Sequence, residues 1–152
     1  MFAVFFAANA ACSLLGPLLY IRFLRELPKR LFVASCFIAT ACAGVLLLTV
    51  AQKSPLFFAL SFFPVSLCGG AIRPYASTLM MTQLDSDNGS VAALIGSSAL
   101  LFGCAAMQLC GQSWWPDFIA ADGATAAAAG LFCLAFWLML CAKKSFRELE
   151  VR

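Results

Sequence analysis

Chemistry in this chain would have to come from cysteines, carboxylates, basic side chains and amides, because the sequence contains no histidine. That removes the commonest metal ligand and the commonest general base. Cys12, Cys36, Cys42, Cys68, Cys104, Cys110, Cys133 and Cys141 lie singly inside apolar runs, and none forms a CxxC pair. Cysteine in that setting behaves as a small hydrophobe. No nucleophile–base pair, phosphate loop or metal cluster emerges, so neither an enzyme nor a cofactor is expected. The carboxylates read as lying outside the apolar runs: Asp85, Asp87, Asp117 and Asp122 in loops, Glu26, Glu148 and Glu150 in charged stretches. The polar groups within the runs are therefore the candidates, with Asn9, Arg73 and Gln108 the costliest to expose to lipid.

The elements that must position them follow from composition. Hydrophobic residues make up 63% of the 152 and charged residues 11%. A soluble domain carries about 45–50% and about 25%. A mean hydropathy of +0.94 excludes an ordinary soluble domain, a disordered chain and a coiled coil. A lipid-crossing helix needs roughly 20 mostly apolar residues. Five apolar segments stand out, at about 2–23, 31–50, 56–81, 89–112 and 124–142. No period of two marks barrel strands, and a backbone in lipid must satisfy its own hydrogen bonds, so these segments read as helices. The expected fold is all-α, a polytopic membrane protein of about five transmembrane helices forming a single transmembrane domain over residues 1–152.

Orientation follows from Lys and Arg, which favour the cytoplasmic side. Alternation gathers Arg22, Arg25, Lys29, Arg30, Arg73, Lys143, Lys144, Arg147 and Arg152 on one side, with Lys53 on the other. The N-terminus then lies outside and the C-terminus in the cytoplasm, and a bacterial inner membrane is expected. Ser113–Gly123, acidic and free of basic residues, reads as an external loop with Trp114 and Trp115 in the interfacial belt. The bilayer is the expected partner. Nucleic acid is not, since the basic residues mark membrane edges rather than an open face.

Arg73-Pro74 is a cavity or gate candidate. Proline removes a backbone donor and kinks a helix, and an arginine at the membrane centre costs at least about 2.5 kcal/mol. The alternative is an arginine snorkelling at the cytoplasmic rim. With Pro64, Gly69 and Gly70, Pro74 makes segment three deformable, pointing to a moving or broken helix. Asn9 and Gln108 are expected to face other helices or a cavity. On segment four, Gly89, Ala93, Gly96 and Gly103 recur at spacings of helical faces and predict a surface for close packing against another helix.

The stretch Phe6-Ala7-Ala8-Asn9-Ala10, then Leu15-Gly16, Leu18-Leu19, Arg22 and Arg25, resembles the eighth helix and following loop of major facilitator transporters, in particular the Bcr/CflA-type drug-resistance branch. Gly16, Arg22, Arg25, Lys29 and Arg30 would form the C-half counterpart of that superfamily's basic cytoplasmic loop. Tyr20 departs from the polar residue expected there. Pro74 resembles the proline of the family's tenth helix, and Gly89-Ser90-Val91-Ala92-Ala93-Leu94-Ile95-Gly96 is similar to the opening of its eleventh. Arg73 stands where an apolar residue is usual. The resemblance implies helices eight to twelve of a twelve-helix carrier, a partial C-terminal half of the fold. It also implies export of a small amphipathic substrate in exchange for protons by the intact carrier. An N-terminal half would then be missing, and the chain alone would not be transport-competent. The alternative is a small structural or regulatory membrane protein that packs on a partner.

Overall fold

The computed structural model describes residues 2–24, 28–51, 54–81 and 88–142. Among these residues five helices run in order: α1 (Phe2–Leu19), prolonged by a π-helical turn over Tyr20–Leu24, α2 (Lys29–Thr49), α3 (Pro55–Met81), α4 (Asn88–Cys110) and α5 (Phe118–Ala142). No strand occurs among the described residues. Four of the helices, α2 to α5, are long and apolar enough to cross a membrane. The α-helical part of α1 has 18 residues, about 27 Å at 1.5 Å per residue. Large apolar side chains point away from the bundle, among them Leu14, Phe102, Met107 and Phe132, each more than 70% exposed. In water such a surface would drive association; in lipid it is the natural exterior. The protein is an all-α polytopic membrane protein.

Two helix pairs hold the bundle, and both depend on missing side chains. α1 and α3 run parallel in close contact. A Cβ on Gly16 would stand 2.5 Å from the Leu67 carbonyl oxygen, and one on Gly70 would meet the Ser13 carbonyl. α2 and α5 run antiparallel. Gly44 faces the backbone of Ala127 and Gly123, and a Cβ on Gly130 would lie 2.7 Å from the Ala41 nitrogen. Lipid tails supply no hydrophobic drive between helices, so such close approach, with its dispersion contacts, is what binds them. The two pairs join through α2 and α3, where Phe32, Val33, Cys36, Cys68, Ala71 and Trp137 form a buried cluster. Tyr20 closes its edge, its ring 4.9 Å from Phe32 and 6.5 Å from Tyr75.

Three sequence expectations are corrected. The fifth helix begins at Phe118, not near residue 124. Asp117 caps it: its carboxylate accepts from the Ala120 amide at 2.6 Å and its carbonyl from Ala121 at 3.2 Å. Asp122 and Gly123 therefore lie in the helix rather than in an external loop. Second, α3 is unbroken through Pro64, Gly69, Gly70 and Pro74. Gly70 serves packing, whereas Gly69 faces open space. Third, Lys29 and Arg30 form the first turn of α2 rather than a loop. Cations there oppose the helix dipole, but at a membrane edge long basic side chains can reach polar surroundings.

Candidate functional site

A cavity of about 460 Å³ opens between the first halves of α1 and α3 and the start of α5. Phenylalanines dominate its wall, among them Phe5, Phe58, Phe62 and Phe118. The rings of Phe58 and Phe62 stack 5.9 Å apart. Two lining residues are strongly polar, Asn9 and Asp122.

Helix packing sets both. Asn9 stands two turns before Gly16 on the face that meets α3, where its Oδ1 accepts from the Ser66 hydroxyl. That bond commits the amide oxygen and leaves its NH2 group as a donor. On α5, Ala121 and Gly123 are buried, with Gly123 against Gly44 and Leu47 of α2. Residues on a helix advance by about 100° each, so with Gly123 against α2, Asp122 turns to another face, where it lines the cavity with residues of α1 and α3. Asp122 is half-buried. Thr125 donates to its main-chain carbonyl at 3.0 Å, and its carboxylate has no side-chain partner among the described residues.

Charge is segregated along the bundle. Among the described residues the cations are Arg22, Lys29, Arg30 and Arg73, and the carboxylates are Asp117 and Asp122. Arg22 lies on the π-helical turn that ends α1, and Lys29 and Arg30 begin α2. Arg73 stands two residues from Tyr75, whose ring lies near Tyr20 of that turn. Trp137 at the far end of α5 donates to the Arg30 carbonyl at 3.3 Å. Both carboxylates lie at the opposite end, where α5 begins and the cavity lies.

Of the cavity candidates Asn9, Arg73, Pro74 and Gln108, only Asn9 lines this cavity. Arg73 is exposed and Pro74 half-buried at the cationic end. The Pro74 carbonyl accepts from the Thr78 hydroxyl at 2.8 Å. Gln108 is exposed on α4. Of the basic-loop residues, Gly16 is not in a loop: it is buried in α1 against α3. Arg22 is exposed on the π-helical turn, and Arg25 lies outside the described residues.

The packing surface expected on α4 is not covered. Gly89 and Ala93 are exposed, and a Cβ on Gly96 or Gly103 would meet nothing within 4 Å. Close packing occurs instead at Gly16, Gly44, Gly70, Gly123 and Gly130. Sequence reading missed Asp122 as a cavity residue because a carboxylate was expected to end a membrane segment. The missed signal was Asp117 directly before the apolar residues Phe118–Ala121, a helix N-cap pattern. No family model, curated protein or solved structure matches the chain.

Proposed function

We propose that this chain is one wall of a membrane transporter, the C-terminal portion of a major facilitator efflux carrier of the Bcr/CflA type. The observation that carries the reading is the Asn9–Asp122 cavity, at the acidic end of a bundle whose exterior suits lipid. Ligand sites are concave and mostly apolar, with a few placed polar groups, and carriers build theirs between helix bundles near the membrane interior. The motif around Asn9 and Gly16 adds the family resemblance. The gathered cations are the cytoplasmic end, and the end that holds Asp117 and Asp122 is external. Arg73 and Pro74 then belong to the cytoplasmic rim.

A cavity wall is not a complete passage, so the chain alone does not transport. In proteoliposomes with an imposed proton gradient, it is expected to give no drug uptake above empty vesicles. Co-expressed with the first seven helices of a Bcr/CflA carrier, it is expected to restore drug efflux from cells. Failure of that complementation, with both pieces inserted, would count against the assignment. Impermeant maleimide should label a single cysteine at position 117 from outside and spare one at position 29. The open face of α4 favours a second reading, a packing protein for a membrane partner. A stoichiometric partner crosslinked to cysteines placed at Gly96 and Gly103 would support it.

A further inference from the structure

The cavity also carries information about what it would hold. Its wall is mostly hydrocarbon, as the bilayer is, so a neutral apolar solute gains little by leaving lipid for it. What sets the cavity apart is Asp122, a half-buried carboxylate with no side-chain partner among the described residues. Near a low-dielectric wall a single negative charge attracts a cation more strongly than in water. Phenylalanine rings add to that attraction through their negative faces. An anion is excluded by charge. A hard divalent metal needs several oxygen ligands, carboxylates foremost, and no cluster of three Cys, Asp or Glu residues that could hold one occurs among the described residues. A volume of about 460 Å³ suits a small organic molecule. Asn9, its oxygen held by Ser66, presents its NH2 group to an acceptor on the guest.

We propose that this cavity is a binding site for an amphipathic organic monocation, with the Asp122 carboxylate as its charge-recognising group and the phenylalanine wall as its apolar bed. The site needs no transport to be real. A failed efflux assay leaves it standing, and loss of the preference for a cation alone leaves the transporter reading standing.

The test uses the full chain in nanodiscs of zwitterionic lipid, with tetraphenylphosphonium as the cation and triphenylphosphine oxide as a neutral comparison. Saturable cation binding is expected, weakened at least tenfold by Asp122→Asn and within about threefold of the original in Asp122→Glu. The neutral compound should show no such dependence on residue 122. Unchanged cation affinity in a folded Asp122→Asn chain, with helicity checked by circular dichroism, overturns the proposal. So does the lack of saturable binding to the unaltered chain, the result expected if lipid or a further helix fills the space. A measurement needing no variant covers misfolding: tetraphenylphosphonium should shield Asp122 from a lipophilic carbodiimide, read by peptide mass mapping. Modification at the same rate with and without the cation also overturns it.

Discussion

Gly123, Ala127 and Gly130 on α5 are spaced identically to Gly89, Ala93 and Gly96 on α4. The α5 set is locked against α2, with Gly44 and Ala41 so near that a further carbon would strike backbone. The α4 set is uncovered within the described chain: a Cβ on Gly96 would meet nothing within 4 Å, and Gly89 and Ala93 are exposed. Small-residue spacing creates a groove and does not by itself fill it. The α5 groove is filled because α2 offers small residues at matching heights, so two backbones can approach and gain dispersion contact along their length. α4 touches α5 more locally, as where Cys110 Sγ lies 3.5 Å from Thr125 Oγ1.

The largest effect should follow from filling the occupied grooves. Gly44→Ala and Gly130→Ala place a methyl against main-chain atoms, which cannot swing aside as a side chain can. Overpacking of this kind costs about 1–3 kcal/mol, to be read from unfolding in mixed micelles of increasing SDS. Stability equal to the parent would show that α2 and α5 can part slightly at no cost. Next comes the cap that brings Gly123 into α5. Asp117→Ala should cost about 1 kcal/mol and speed amide exchange at residues 118–121. An unchanged exchange rate would mean the first turn is held by packing alone.

A smaller effect is expected where polar bonding assists a glycine pair. A double-mutant cycle of Asn9→Ala and Ser66→Ala should give a coupling near 0.6 kcal/mol, the average for interhelical hydrogen bonds in membranes. Zero coupling would leave the α1–α3 contact to Gly16 and Gly70. The smallest change belongs to α4. Gly96→Ala and Gly103→Ala meet open space and should shift stability by less than about 0.5 kcal/mol. If they cost as much as Gly44→Ala in native membranes while remaining silent in purified chain, α4 has a partner, and the packing-protein reading gains.

The candidate site was only partly legible. Asn9 could be singled out because an amide in an apolar run is costly unless something meets it, and Ser66 does. Asp122 could not be found by that logic, since the rule that charges avoid membrane segments pushed the helix start past it. Residue 122 lies only about one turn into α5, close enough to the helix start for a partly hydrated carboxylate to be tolerated. Gln108 and Arg73 met the same cost criterion as Asn9 yet stand outside the cavity, because cost says that a group must be accommodated and not where.

Composition and apolar run length determined that the chain is helical and lives in lipid, because a backbone there has no water to bond with and must satisfy itself within each segment. The order of the segments and their cationic ends were equally a matter of local chemistry. Which glycines bear on a neighbour, which groove stays open and which carboxylate faces a cavity were settled only by tertiary structure. Those outcomes depend on residues far apart in sequence arriving at one height on facing helices, and no single segment carries that information.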